Sequence, residues 1–494
     1  MRTPSGVLTN RQTPYSIRCV READGGVGIR VRDFFSKERI TAGSEYNRWL
    51  VPPAALAVHL CIGQVYAFSV FNEPLTRVIG VTESAPEDWR LTTVGWIFSI
   101  SILVLGIAAA IAGKWLERVG PRTTMFTAAC CFGGGFLVSA LGVVTHQIWL
   151  LYLGYGVLGG IGLGLGYVSP VSTLIRWFPD RRGMATGLAI MGFGGGAIIG
   201  APLGVELMEF FSSETSVGVA ETFVVMGTVY FLSMSLGAFT VRIPREGWRP
   251  AGWSPPEENG EQQSAMITRN NVHIDTALRT PQFWLLWMML CFNVTAGIGV
   301  LGQASVMIQE TFGGAVTAAA AGGFVALLSI FNMIGRIVWA STSDYIGRKM
   351  TYFIFFGLGA LLYVSIPVVG SGLGSIFLFV LAFGVIMSMY GGGFATIPAY
   401  LADVFGTRYV GGIHGRLLTA WSTAGVLGPV LVNYIREFQI EAGVAPQDAY
   451  NITMFIMAGL LVIGFVCNLL MRPVDPKYHM KEYEGPDTTG KGSA

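Results

Sequence analysis

Arg336 is a charged residue inside an apolar stretch, "FNMIGRIVWA" at 331–340. In a membrane-spanning helix an arginine costs about 2.5–3.5 kcal/mol on insertion scales, and it is by default a functional candidate. Asn332 and Ser329 precede it by one and two helical turns, so the three side chains share a helix face. That face offers a fork of N–H donors beside an amide, which suits a carboxylate. Alternatively, the Arg336 side chain extends to the membrane interface near Ala340.

Weaker candidates for the same chemistry lie in other apolar stretches. His59, Gly63 and Tyr66 fall on one helix face, and histidine is the side chain type that changes charge near neutral pH. Tyr167 and Tyr390 lie beside glycines and prolines in two further stretches. The alternative for each tyrosine is simple packing. The alternative for His59 as a proton carrier is a hydrogen-bonded core histidine.

The sequence has no pattern typical of an enzyme or a metalloprotein. Its six cysteines lack metal-ligand spacing, and no nucleophile–base pair or phosphate loop is present. We therefore expect no enzymatic activity, no metal, no cofactor and no nucleic-acid partner.

The elements that position these residues are predicted to be membrane helices. The 494-residue chain is 52% hydrophobic and only 13% charged, whereas soluble proteins carry roughly 25% charged residues. Twelve apolar segments approach or exceed the roughly 20 residues that cross a bilayer, and in lipid such segments must be helical. The segments lie near 47–71, 92–113, 124–144, 148–177, 183–207, 221–241, 282–307, 316–340, 350–370, 373–402, 411–434 and 449–471.

The second half of the chain repeats the first. "GKWLERVGPRTT" (113–124) aligns with "ASTSDYIGRKMT" (340–351) at an offset of 227 residues, and "WFPDRR" (177–182) aligns with "VFGTRY" (404–409) at the same offset. The prediction is an all-α membrane protein of two pseudo-symmetric six-helix bundles, as in transporters whose substrate lies between repeats. The expected units are a largely disordered tail (1–46), two bundles (47–241 and 282–471), a linker between them (242–281) and a second tail (472–494).

The charge distribution predicts the orientation in the membrane. Basic residues concentrate in the loops after the even-numbered segments, and five arginines lie in the linker alone. The opposite loops hold mostly acids. Because cytoplasmic loops carry the excess of lysine and arginine, we expect the linker and both termini to be cytoplasmic.

The repeated acid-x-x-Gly loops within twelve helices resemble the major facilitator superfamily. This resemblance implies the major facilitator fold and a conformational switch formed by Glu117, Arg118, Asp344 and Arg348. In the family the loop acid caps a helix of its own half, so Glu117 is expected to face the fifth helix and Asp344 the eleventh. A carboxylate at a helix N-terminus contributes about 0.3–1 kcal/mol. The alternative is that these loops merely supply cytoplasmic charge.

At a finer level the chain resembles the oxalate/formate antiporter family, a relative of the monocarboxylate transporters. The resemblance rests on "NRWLVPPAALAVHLCIGQVYAFSVFNEPL" (47–75), "RWFPDRRGMATGLAIMGFGGGAIIGAPL" (176–203), "FWLLWMMLCFNVTAGIGVLGQASVMIQETFG" (283–313) and "GRLLTAWSTAGVLGPVLV" (415–432). It implies that Arg336 pairs with a substrate carboxylate. The other residues that it places in the site are Tyr66, Tyr167 and Tyr390, and Asn332 is added because it shares a helix face with Arg336.

Trp421 is the main departure from that family. Oxalate-transporting members have a lysine where this sequence has the tryptophan of "TAW". One cation does not neutralise a dianion, and an uncompensated carboxylate in a low-dielectric site costs several kcal/mol. A monocarboxylate such as formate, lactate or pyruvate is therefore favoured over oxalate.

The expected function is secondary active transport of small carboxylates by alternating access, as an antiporter or a proton symporter with His59 as the proton-coupling candidate. The expected protein is a monomer in the plasma (inner) membrane. Two alternatives are an exporter of drugs or other small molecules and a non-transporting membrane sensor. The exporter should show a buried carboxylate in the first bundle, and the sensor an appended signalling domain.

The topology prediction can be tested with single cysteines in a background without the native ones. Asn259→Cys in the linker should react with a membrane-impermeant maleimide only after the cells are permeabilised, because the arginine-rich linker is expected inside. Glu83→Cys, in an acidic loop expected outside, is the matched control and should react in intact cells. Labelling of residue 259 in intact cells would contradict the assigned orientation.

Overall fold

A computed structural model describes residues 36–43, 45–254, 266–268 and 270–480. The predicted disorder of the first tail falls mostly outside these residues, as does the end of the second tail. Within them, twelve helices are long and apolar enough to cross a membrane. This confirms the predicted helical membrane fold.

The helices are α1 (Arg48–Leu75), α2 (Leu91–Val119), α3 (Pro121–Val144), α4 (Ile148–Trp177), α5 (Arg182–Phe211), α6 (Val219–Thr240), α7 (Pro281–Phe312), α8 (Ala318–Ile346), α9 (Arg348–Gly372), α10 (Ile376–Phe405), α11 (Val410–Glu441) and α12 (Pro446–Leu470). Helix α1 contains a 3₁₀ stretch at Gly63–Phe71, and α4 contains a π-helical stretch at Tyr152–Gly159.

The two repeated motifs form the same turn in each half. Gly120 separates α2 from α3 with φ of 84°, and Gly347 separates α8 from α9 with φ of 83°. This left-handed conformation has no steric cost for glycine. Helices α2 and α8 run about six residues beyond the predicted segments, so Glu117 and Asp344 lie in final helical turns rather than in loops.

Helix packing has the same pattern in both halves. In the first half α1 packs on α5, α2 on α4 and α3 on α6; in the second half α7 packs on α11, α8 on α10 and α9 on α12. Large apolar side chains such as Leu141, Leu232, Leu361 and Phe377 are exposed on the outside. These side chains suit contact with lipid.

The two halves meet along α5 with α8 and along α2 with α11. Glycines allow this close approach. A Cβ atom on Gly415 of α11 would lie 2.1 Å from the Ala109 carbonyl oxygen of α2, and one on Gly187 of α5 would lie 2.8 Å from the Arg336 carbonyl oxygen of α8. Any larger residue would force the halves apart, as at the small-residue contacts of other membrane helices.

The described parts of the linker lie at the end of the bundle where α2, α4, α6, α8 and α10 terminate, which we call the linker end. The Trp177 indole N–H donates to the Arg242 carbonyl, and the amide of Val272 donates to the Phe405 carbonyl. A single helical turn, Ile274–Ala277, lies between these attachments and α7. The linker is therefore bound to both halves.

Candidate substrate-binding site

Arg336 lies in the middle of the interface between the halves. Its guanidinium donates from Nε to the Asn332 Oδ1 atom at 3.0 Å and from Nη1 to the Ile190 carbonyl oxygen of α5 at 3.0 Å. The rings of Phe193 and Phe394 both contact it, each with its centroid 5.7 Å from the guanidinium carbon. The side chain is 1% exposed. It bonds inward, and so it does not extend to the membrane interface.

Two glycines make room for this arrangement. A Cβ on Gly194 of α5 would lie 2.9 Å from Arg336 Nε, and one on Gly391 of α10 would lie 2.2 Å from the Asn332 carbonyl oxygen. The glycine-rich sequences "GFGGG" and "YGGGF" therefore bring α5 and α10 against the polar face of α8. Larger residues there would displace the charged side chain.

Several polar atoms around Arg336 are buried without a hydrogen-bond partner. They are Arg336 Nη2, the hydroxyls of Tyr66, Tyr167 and Tyr390, and Trp421 Nε1. The Tyr66 hydroxyl lies near Arg336 and the Tyr390 hydroxyl, although no hydrogen bond of regular geometry joins them. A buried polar group without a partner costs about 1–3 kcal/mol. A cluster of such donors around one cation is therefore suited to an anionic acceptor.

Trp421 belongs to the same cluster. Its ring centroid lies 5.4 Å from that of Tyr167, 5.3 Å from that of Phe193 and 4.8 Å from that of Phe394. Phe193 and Phe394 also contact Arg336, so the indole and the guanidinium have two neighbouring rings in common. The residue expected to govern substrate charge thus lies within the cluster around Arg336.

The His59 ring stacks on the Tyr167 ring, with the two centroids 5.3 Å apart. Its Nδ1 is 2.6 Å from the Ala189 carbonyl oxygen and its Nε2 is 3.1 Å from the Tyr167 carbonyl oxygen. A neutral imidazole carries one N–H and can donate to only one of them, whereas an imidazolium can donate to both. The two carbonyl oxygens could accept from both N–H groups of an imidazolium, and one of them is sufficient for a neutral, hydrogen-bonded core histidine.

Three site residues were not selected from the sequence: Phe193, Phe394 and His414. His414 of α11 is 1% exposed, its Nε2 has no partner, and its ring lies 5.7 Å from that of Tyr167. The repeat could have indicated Phe394, because this residue stands 227 positions after Tyr167, a predicted site residue, and 227 is the repeat offset. Phe193 and His414 have no such counterpart in the other half.

The motif acids close the linker end, but with partners other than those expected. Asp344 accepts from the amides of Gly183 and Met184, at 2.8 and 2.9 Å, and so caps α5 of the opposite half. Glu117 pairs with Arg176 at 2.6 Å and lies against Gly411 at the start of α11. The prediction of caps within one half was wrong, because α5 packs directly along α8 and brings its first turn to the end of that helix.

Further ion pairs reinforce the closure. Asp403 of α10 accepts from Arg348 at 3.1 Å and from Arg182 of α5 at 2.8 Å. Arg348 also pairs with Asp344 at 2.6 Å. The expected switch residue Arg118 is exposed, and the structure shows no hydrogen bond or ion pair for it in the described part of the chain.

The linker contributes a carboxylate to the same closure. Asp275 accepts from Lys114 of α2 at 2.8 Å and from Arg416 of α11 at 2.6 Å. Hydrogen bonds from these two cations lower the pKa of Asp275 to about 2. One linker side chain therefore connects the two halves.

The fold and the buried site define a membrane transport protein with two halves that close at one end. The sequence matches the profile of the Major Facilitator Superfamily over residues 54–429. The chain therefore belongs to this superfamily, whose members are transporters rather than enzymes. The expectations of fold and of a non-enzymatic protein are confirmed.

Individual relatives agree with this assignment. The chain is 28% identical to an oxalate:formate antiporter of Oxalobacter formigenes, over 86% of this chain and 92% of that protein. It is 24% identical to apicoplast pyruvate carrier 1 of Toxoplasma gondii, over 89% and 92% of the two chains. The fold resembles that of the Escherichia coli fucose:proton symporter, with a TM-score of 0.61, 13% identity, and coverage of 86% of this chain and 99% of that one.

The lowered pKa of Asp275 predicts a pH dependence of stability. The folded pKa of about 2 lies below the ordinary value of about 3.9, so the stabilisation is fully present above about pH 4 and is lost as the pH falls through 2. Thermal unfolding in detergent should show a lower Tm for Asp275→Asn, by an amount that is constant from pH 8 to 5 and shrinks below about pH 4. Glu214→Gln, in an exposed loop, should leave the Tm unchanged. A difference that instead grew on acidification would contradict the assigned ion pairs.

Proposed function

We propose that the protein transports small monocarboxylates by alternating access, in exchange for another anion or together with a proton. The observation that carries this proposal is the Arg336 guanidinium, which keeps N–H groups unused within a cluster of unpartnered donors. A guanidinium has five N–H donors. Two of these N–H groups bond to Asn332 and Ile190. The N–H groups that remain on Nη1 and Nη2 match the two oxygens of a carboxylate.

The composition of the cluster favours a single negative charge. Arg336 carries its permanent charge, while Tyr66, Tyr390 and Trp421 offer neutral donors. A second carboxylate in the same site would lack a counter-charge and would cost several kcal/mol. The relatives named for oxalate, formate and pyruvate support the carboxylate class, and Trp421 favours its monovalent members.

The same guanidinium links binding to the closure between the halves. Arg336 of α8 bonds to the Ile190 carbonyl of α5, which is a neutral acceptor. A carboxylate makes charge-assisted bonds roughly twice as strong. A carboxylate that binds the unused N–H groups and draws the guanidinium toward itself therefore competes with the Ile190 carbonyl, which joins the two halves in the closed state. This competition supports alternating access, in which ligand binding biases the equilibrium between states.

Proton coupling is the second candidate for the driving force. It is favoured by His59, whose two ring nitrogens both face carbonyl oxygens. Uptake driven by a pH gradient in the absence of a counter-anion would identify symport, and uptake that requires an internal anion would identify exchange.

Two other functions receive less support from the structure. A cation or drug exporter should have a buried carboxylate in the first bundle, whereas Glu206 and Glu209 are exposed near the end of α5. A sensor should carry a folded signalling domain, and the described parts of the linker form extended segments and a single helical turn.

We also propose a plasma-membrane location, with both termini cytoplasmic.

Arg336 substitutions test the proposal in proteoliposomes with labelled formate, lactate, pyruvate and oxalate. Losing one partner of a buried charge pair costs about 2–5 kcal/mol. Uptake of every carboxylate by Arg336→Ala should therefore fall by about 30-fold or more at low substrate concentration. Arg336→Lys should also be impaired, since an ammonium lacks the planar fork. Arg472→Ala, an exposed arginine outside the helices, is the control. Near-normal uptake by Arg336→Ala would place the site elsewhere.

Trp421→Lys tests the origin of charge selectivity. An ammonium beside Arg336 would neutralise a second carboxylate, so oxalate should inhibit monocarboxylate uptake better in this variant than in the wild type. The desolvation of the lysine limits the gain. Trp421→Phe keeps the aromatic packing and should leave oxalate inhibition unchanged. Strong oxalate transport by the wild type would overturn the assignment, as would an equal loss of activity on all substrates in the lysine variant.

A further inference from the structure

A second cleft lies at the linker end, outside the helix core. It has a volume of about 740 Å³, within the range of small-molecule sites. Both halves and the linker form its walls: Arg176 and Arg182 come from the first half, Arg408 and Tyr409 from the second, and 243–249 and Trp253 from the linker. The cleft therefore exists in this form only while the linker end is closed.

The cleft carries an excess of positive charge. Its ionisable lining residues are Lys37, Arg176, Arg182, Arg245, Arg249 and Arg408, against Glu117 and Glu246. Arg176 is neutralised by Glu117, and Arg182 by Asp403. Clefts that concentrate one sign of charge attract ligands of the opposite sign.

Three of these cations form no ion pair within the described residues. Lys37 donates to the Glu117 carbonyl oxygen, and Arg245 donates from Nε to the Ala42 carbonyl oxygen at 3.0 Å. The Arg408 guanidinium lies over the ring of Tyr409 at 5.5 Å. These contacts orient the side chains and leave their charges uncompensated. Each can still donate to an incoming anion.

Two tryptophans contribute aromatic surface to the cleft. Trp248 packs edge-on against Trp177 at 4.8 Å, and Trp177 Nε1 donates to the Arg242 carbonyl oxygen at 2.8 Å. Trp253 also lines the cleft and is half-buried. A ligand that has several negative charges and an apolar or ring-bearing part would match both the cations and the tryptophans of the cleft.

We propose that this cleft binds a phosphate-bearing anion, either a soluble phosphate compound or the headgroup of an anionic lipid. Several cations around one volume suit the multiple charge and multiple acceptor oxygens of phosphate better than a single carboxylate. Because residues from both halves line the cleft, such a ligand binds preferentially to the form closed at the linker end. It therefore stabilises that form and slows the return of the carrier.

Ligand-dependent thermal unfolding of the full chain tests the site without relying on transport. One arm adds tripolyphosphate or ATP to protein in neutral detergent. The second arm compares nanodiscs of phosphatidylcholine with nanodiscs that also contain phosphatidylinositol 4-phosphate. The variant is Lys37→Gln with Arg408→Gln, and each single substitution is measured in case the pair alters folding. Arg472→Gln removes one charge outside the cleft and is the control.

The expected result is a rise in Tm of the wild type and of the control, with an apparent affinity at least about tenfold weaker in the double variant and intermediate in the single variants. The arm that shows this pattern identifies whether the source is soluble or lipid. The effect should decrease at high salt. No shift in either arm, or equal shifts in wild type and double variant, would overturn the proposal. Because the readout is unfolding, its failure is separate from any failure of carboxylate uptake.

Discussion

One permanent positive charge buried between the two halves constrains the whole site. The Arg336 guanidinium has almost no exposure, and its charge cannot be removed by deprotonation. It must therefore always have acceptors. Asn332 supplies one within α8, and the opposite half supplies another through a main-chain carbonyl. The aromatic rings and glycines around it can be understood as the packing that this charge requires.

The linker-end contacts depend on the same face-to-face packing of the halves. Asp344 reaches the first turn of α5 because α5 and α8 lie side by side from the linker end to Arg336. Opening this end would separate the Asp344 cap, the Arg182–Asp403 ion pair and the Arg336–Ile190 hydrogen bond together. Because one movement would break all of these contacts, we expect them to act as a cooperative unit rather than as independent ion pairs.

Much of the fold could be predicted from the sequence, because the length and hydropathy of membrane segments constrain them strongly. The twelve helices follow from these patterns, and the repeat follows from aligning the two halves of the sequence. The pattern around Arg336 left open whether its side chain bonds inward or extends to the interface, and the family resemblance favoured the inward position. The partners of Asp344 and Glu117 could not be predicted, because the choice between two helices depends on how the halves pack. A comparison of the repeats gives a partial indication of these partners. Arg176 and Asp403 stand at equivalent positions with opposite charge, so the two motif acids cannot have the same kind of partner there. Phe193 is an apolar residue in an apolar helix, so its pattern cannot distinguish a site residue from a packing residue.

The Ile190 acceptor has a consequence for how this protein varies. Since the oxygen belongs to the main chain, nearly any residue at position 190 would present it, provided that α5 keeps its course. Substitutions at 190 and 336 therefore need not compensate each other. Methods that infer proximity from correlated substitutions would miss this contact. The central hydrogen bond between the two halves therefore tolerates substitution of the acceptor residue, Ile190, but is lost when the donor, Arg336, is substituted.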